Sequence, residues 1–397
     1  MTRPDTLCSV TEVAPAAQEL TEIRRHLHAH PELSYQEAAT SALVAARLAE
    51  WGYEVATGIG GHGVVGTLRV GNGTRSIGIR ADMDALPIHE QTGLPYASRH
   101  EGTMHACGHD GHTTTLLGAA QHLALTRRFN GTVHLIFQPA EEAGSNSGAQ
   151  QMIADGLFTR FPCDAIFGLH NHPGVPTGTF GFRSGPFMAA CDTVHITIHG
   201  KSGHAARPHL SVDPVVVASA LVLALQTVVS RNVDPTQTAV VTVGSLHAGD
   251  APNVIPEDAK LGVSVRSFSP EIRQLLEARI RQLVQSHAEA YGARASVDYI
   301  RGYPVLINSE RETELAREVA EELVGTEHVI APFPMIAGSE DFAFYLQERP
   351  GCFLRIGNGA NAPMLHNAHY DYADENLVVG AAFWTRLAER FLGQGAE

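Results

Sequence analysis

Along the first half of the chain, short and nearly continuous apolar runs alternate with longer runs of helical period. TVHLIFQ at 132–138 and DAIFGL at 164–169 read as buried strands, and 352–357 (CFLRIG) repeats the pattern late in the chain. Between them, amphipathic periodicity predicts helices over 16–30, from 109 to about 127, and over 148–156. Ser34-Tyr35-Gln36-Glu37 has the form of a capping box and predicts a helix through about Glu50, stopped by Gly52. Two β-rich runs, 64–70 and 76–81, flank Gly71-Asn72-Gly73 and predict a hairpin. Strand and helix in alternation imply an α/β layer structure with a largely parallel sheet.

The texture changes near 187. Residues 192–200 (DTVHITIHG) alternate as a half-exposed strand. A helix at 213–231, strands at 238–247 and 259–267, a helix at 270–291 and a strand at 295–301 follow. That order, β-α-β-β-α-β, is the pattern of a small ferredoxin-like domain. Beyond it come a helix at 309–325, a strand-like run at 329–336, and helices at 339–347 and 375–393. The pattern predicts a discontinuous catalytic domain, 1–186 and 303–397, interrupted by an inserted α+β domain at 187–302. The stretch 214–229 (PVVVASALVLALQTVV) reads as a buried helix, too short and too polar at Gln226 to span a membrane.

Composition narrows the function. The 397 residues are 44% apolar and 18% charged, as in a globular enzyme, and the net charge is −14. That balance excludes nucleic acid and anionic membranes as expected partners, since both need basic surface. The start MTRPDTLCSV lacks a charged segment followed by an apolar one, and the five scattered cysteines do not form a disulfide framework. A cytoplasmic location is the expectation. Histidine, at 22 residues, is the outlier and motivates a search for metal ligands.

Four clusters stand at predicted strand ends or loops, where active sites of open α/β sheets gather. Asp82-Met83-Asp84 follows the strand 76–81. Residues 105–112 (HACGHDGH) pack three histidines, a cysteine and an aspartate before a helix. Glu141-Glu142 follow the strand 132–138, and His170 ends the strand 164–169. His366 stands far along the chain. Together Cys107, His109, Glu142, His170 and His366 supply five ligands, too many for one tetrahedral site but suited to two divalent cations sharing a bridge. Of the adjacent acids, Glu142 binds metal while Glu141 is placed as general base.

The motifs then align with a known group. Arg80-Ala81-Asp82-Met83-Asp84-Ala85-Leu86-Pro87, the 105–112 cluster, Gln138-Pro139-Ala140-Glu141-Glu142, Gly200-Lys201-Ser202-Gly203-His204, Pro252-Asn253-Val254-Ile255-Pro256 and Gly338-Ser339-Glu340-Asp341-Phe342 appear in order along nearly the whole chain. The sequence resembles the metal-dependent aminoacylase and carboxypeptidase family, in its branch of hippurate hydrolases and auxin–amino acid conjugate hydrolases. The resemblance implies that Asp84 orients a metal ligand and that the inserted domain is a mobile lid through which subunits pair as a homodimer or homotetramer. It implies that His204 reaches a neighbouring subunit's site, and that Asn253, Arg266 and Gly338 belong to the substrate-binding set. Peptidase relatives carry His-x-Asp where this chain has Asp82-x-Asp84, and an aspartate where it has Cys107. The implied cofactor is a pair of manganese ions, with zinc, cobalt or nickel as alternatives. The expected reaction is hydrolysis of an N-acyl-L-amino acid. The alternatives are a deacetylase of the N-acetyl-diaminopimelate type, a dipeptidase, or a metal-binding protein without turnover.

Overall fold

The computed structural model describes residues 7–393. The chain divides into two compact units. The first comprises the chain up to Gly185, Ile307–Pro334, and the chain from Asp341 onward; the second comprises Pro186–Leu306 and Met335–Glu340.

The first unit is built on an eight-stranded sheet in the order 54–59, 63–70, 131–138, 76–82, 165–172, 351–357, 180–181, 329–330. The four strands from 131–138 to 351–357 run parallel, so their carboxyl ends share one edge. Their side chains are almost wholly buried, as expected for strands covered on both faces. Helix His109–Thr126 is buried along most of its length, and Leu116, Leu117 and Ala120 join Phe137, Phe167 and Trp384 in one core.

Gly71-Asn72-Gly73 does not close a hairpin. Gly63–Val70 pairs antiparallel with Gly131–Gln138, whose other edge takes Ser76–Asp82 in parallel. The backbone amides of Asn72 and Gly73 donate to Asn130 Oδ1, fixing the turn against the start of the inserted strand. The capping box is also absent. The helix runs Ala38–Glu50, but its first free amides, Ala39 and Thr40, donate to the Glu32 carboxylate. Glu37 instead accepts from the amides of Tyr35 and Ala140, and Ser34 Oγ donates to Asp84. Tertiary partners have recruited both ends of the motif. Of the run 329–336 only Val329–Ile330 is strand, and the following helix spans Phe342–Glu348.

The second unit is a four-stranded antiparallel sheet, in the order 239–247, 258–267, 190–199, 294–301, with helices Pro214–Asn232 and Pro270–Ala290 packed on it. Strand Ala190–His199 alternates buried and open positions, with Val194, Ile196 and Ile198 fully buried. Both helices start on a proline after a side-chain cap: Asp213 accepts from the amide of Val215, and Ser269 from that of Ile272. Helix Pro214–Asn232 is not a buried helix: about a third of it is buried, and it is long and apolar enough for a membrane span by length and composition. Val217, Leu221, Leu225 and Val228 face the core while Val216 and Leu223 stay exposed. At the base of this unit Asp192, almost fully buried, accepts from Arg273 Nη2 (2.5 Å), Tyr299 Oη (3.0 Å) and the amide of Gly302 (3.2 Å).

Candidate metal centre

Three of the four clusters singled out in the sequence stand at carboxyl ends of the parallel strands. Asp82 closes strand Ser76–Asp82, Glu141 and Glu142 open a short 3-10 turn after Gly131–Gln138, and His170 lies near the end of Ala165–His172. Cys107 and His109 enter helix His109–Thr126 through Gly108, whose φ is +87°. A Cβ at Gly108 would stand 2.4 Å from Tyr370 Oη and 2.5 Å from Asn171 Nδ2, so only glycine fits. Of the four described non-glycine residues with left-handed backbone, Tyr35, Arg127, Ala140 and His366, two belong to this cluster: Ala140 (φ 52°), just before Glu141, and His366 (φ 62°). Such strain costs of order 1–3 kcal/mol and concentrates at functional sites.

The five expected ligands meet as two overlapping trios. Ligand atoms of Cys107, His109 and His170 lie within 4.8 Å of one another, as do those of Cys107, Glu142 and His366. Cys107 belongs to both trios, which suits two cations sharing a bridge. Glu141 joins His109 and Glu142 in a third such group. Cys107 Sγ lies 3.3 Å from His170 Nε2, and His366 Nε2 lies 3.1 Å from Glu142 Oε1.

Hydrogen bonds set the histidine tautomers. His170 Nδ1 is 2.7 Å from the carbonyl of Asn171, so it carries the proton and leaves Nε2 as a lone pair. His109 Nδ1 is 3.2 Å from Asp84 Oδ1, while its buried Nε2 has no hydrogen-bond partner. A buried nitrogen left without a partner among anionic groups fits a metal ligand. Asp84 also accepts from Ser34 Oγ (2.7 Å) and from the amide of Glu142 (2.9 Å), tying one ligand segment to another.

The electrostatics favour a cation. Burial opposes a charge on His109, yet Asp82, Cys107 and Asp84 push its pKa well up. His366 is pushed up to about 10 by hydrogen bonds to Cys107 and Glu142, which outweigh its burial. Burial opposes ionisation of Asp84, but His109, Ser34 and the Glu142 amide hold its carboxyl low. Burial and the neighbouring Glu142 raise the Cys107 thiol.

Beneath the trios lies a layer that composition and spacing did not reveal. Asp82, a strand-end acid in the sequence, accepts from Arg80 Nη1 (2.6 Å) and from His112 Nδ1 (2.6 Å). His112 Nε2 accepts from the amide of Asn171, and Asn171 Nδ2 donates to the carbonyl of Cys107 (2.6 Å). Arg80 and Gln138 both donate to Asp341. The third histidine of the 105–112 cluster was the available signal.

The expected substrate residues lie in the second unit. His204 and Val254 pair across a two-residue ribbon, and the amide of Ala205 donates to the carbonyl of Asn253. His204 and Asn253 are both exposed. Arg266, on strand Asp258–Ser267, is half-buried and donates from Nη1 to Ser339 Oγ at 3.2 Å. Gly338 accepts through its carbonyl from the amide of Ala189. The structure thus brings His204 near Asn253, and Arg266 to the residue beside Gly338.

A Cys/His/Glu cluster, buried at Cys107, His109 and His170 and open at His366, with an adjacent carboxylate at the carboxyl edge of a parallel sheet, defines the class: a metal-dependent amidohydrolase. Residues 78–390 match the peptidase family M20/M25/M40. The chain is 42% identical over 383 residues to a hippurate hydrolase of Campylobacter jejuni, covering 96% of this chain and 99% of that one. It is 42% identical to an N-acetyl-L-cysteine deacetylase of Bacillus subtilis, covering 96% and 90%. A Bacillus subtilis crystal structure, described as a dinuclear metal-binding peptidase of the M20 family, superposes with TM-score 0.84 at 34% identity, covering 96% and 99%. The chain belongs to the peptidase family M20/M25/M40, in the branch of hippurate and auxin-conjugate hydrolases. The reaction class of these relatives is amide hydrolysis of N-acyl amino acids.

Proposed function

We propose that this protein hydrolyses N-acyl-L-amino acids, with hippurate-like aromatic acyl groups as first substrates, through two divalent cations held by Cys107, His109, Glu142, His170 and His366. The observation that carries the reading is Glu141, buried and grouped with His109 and Glu142. Bound cations would supply Lewis-acid polarisation of the amide carbonyl and acidify the attacking water. Glu141 takes a proton from that water and returns it to the amide nitrogen, so the C–N bond breaks to carboxylic acid and amine. Asp84 holds His109 in the tautomer that leaves Nε2 free. Arg266 grips the free carboxylate of the substrate, which its planar fork suits, and Asn253, His204 and Gly338 complete the binding set. Manganese is the proposed metal, with zinc, cobalt and nickel to be compared.

Pairing of subunits through the second unit, as a homodimer or homotetramer, belongs to the proposal. Its support is the exposed Val216 and Leu223 on helix Pro214–Asn232, with exposed Val240 and Leu246 on the edge strand Ala239–His247. A cytoplasmic location is proposed on the five free cysteines. The functional test is release of glycine from hippurate, beside acetyl release from N-acetyl amino acids, by protein stripped with chelator and reloaded with each metal. Metal-dependent release from hippurate supports the reading. Activity on N-acetyl substrates alone moves it to a deacetylase, and inactivity on the whole panel with metal bound overturns it.

A further inference from the structure

We infer that Cys8, Glu12 and His122 form a separate site for one thiophilic divalent cation of the zinc and cadmium type. Cys8 Sγ, a Glu12 carboxylate oxygen and a His122 ring nitrogen lie within 4.8 Å of one another. Tetrahedral zinc, with bonds of about 2.0–2.3 Å, separates its ligand atoms by roughly 3.3–3.8 Å, so a small closure completes the geometry. His122 is 9% exposed, and its buried Nε2 has no hydrogen-bond partner. Glu12 Oε2 stands 3.7 Å from it, beyond hydrogen-bond length. A buried imidazole nitrogen held open beside a thiol and a carboxylate offers three ligand types that zinc takes, with a fourth position left for water.

The surroundings hold the ligands in place. Arg128 grips Glu12 through Nη1 (3.1 Å) and Nη2 (2.5 Å), and donates from Nε to Glu389. Glu389 in turn accepts from the amide of Cys8 at 2.6 Å. Each carboxylate oxygen of Glu12 keeps a second lone pair, so Arg128 and a cation can share it. Cation binding replaces the thiol proton: the S–H bond breaks, a sulfur–metal bond forms, and the proton leaves to solvent. Glu12 and His122 also line a cavity of about 510 Å³ with Glu19, Gln121, Trp51 and Leu125, which admits water as fourth ligand. His122 is on the helix that begins with His109, about 20 Å away along its axis. The site would clip the N-terminal helix Val10–Val13 to the helix carrying a catalytic-metal ligand.

The test uses the full chain carrying Cys107→Ser, which removes the thiolate of the other cluster, loaded with manganese and titrated with cadmium. The ultraviolet thiolate-to-cadmium absorption is read, and cadmium per chain is counted after desalting. The expected result is one thiolate–cadmium equivalent, abolished by adding Cys8→Ser and weakened at least tenfold in affinity by adding His122→Gln. Circular dichroism checks folding; should Cys8→Ser not fold, His122→Gln carries the test. Absence of the band, or a band unchanged by either added substitution, overturns the site.

Discussion

The two units present their expected functional residues in opposite ways. In the first, three metal ligands are locked by buried partners: His109 by Asp84, His170 by the Asn171 carbonyl, and Cys107 through its own carbonyl by Asn171, while His366 stays exposed beside Glu142. In the second, His204 sits exposed on a two-residue ribbon with exposed Asn253 next to it, and Arg266 donates to the Ser339 hydroxyl at 3.2 Å. Chemistry that needs fixed tautomers and charges is pre-organised by burial. Residues that must meet a variable ligand are left open to it.

Substitutions at four positions probe that contrast, from the largest expected effect to the smallest. Asp192→Ala strips the buried partner of Arg273 at the base of the second unit. Breaking such a pair costs about 3–5 kcal/mol, measurable as a lowered urea midpoint. A loss under about 1 kcal/mol would show that this unit does not depend on the Asp192–Arg273 pair.

His28 gives the pH-dependent counterpart in the first unit. Burial opposes its charge, but hydrogen bonds with Asp110 (2.9 Å) and Glu90 (3.3 Å) push its pKa up to about 9. The folded value lies above the unfolded one of about 6.5, so this stabilisation is complete below about pH 6.5 and lost as pH rises through about 9. Stability should fall by at most about 3 kcal/mol across that window. The same unfolding series on His28→Gln should lack that part of the slope.

Arg266→Ala should lower kcat/KM for an N-acyl amino acid by roughly 10–150-fold, the worth of about 1.5–3 kcal/mol for a charge-assisted hydrogen bond. Little change is expected for an N-acyl amine without the carboxylate. Arg266→Lys should not restore the rate, because the planar fork is lost. Equal losses on both substrates would assign Arg266 to structure. Asp84→Asn should weaken metal binding about 10–100-fold in chelator competition. Unaltered affinity would detach Asp84 from the orientation of His109.

The same contrast decided what the sequence disclosed. Ligands crowded into 105–112 and paired at 141–142 were legible, because density of that kind at strand ends is itself a signal. His204 and Asn253 carried no such density and were reached only through resemblance. Ser34 and Glu37 had the spacing of a local cap, but Asp84 and the Ala140 amide are 50 and 103 residues away along the chain. Gly71-Asn72-Gly73 had the chemistry of a hairpin turn, and no local pattern announces that strand 131–138 inserts beside it. Helix Pro214–Asn232 was apolar all round and so looked buried; that only one face meets the core is a property of what packs on it. The Arg80–Asp82–His112–Asn171 layer was hidden because Arg80 and Asn171 looked ordinary, and nothing local tied Asp82 to His112 until the fold joined them.

The most direct test of the central claim is Glu141→Gln, assayed on hippurate with metal counted per chain. The account predicts two metals retained and a rate about 10²–10⁴ lower. A rate within a few-fold of the parent, with both metals bound, would contradict it.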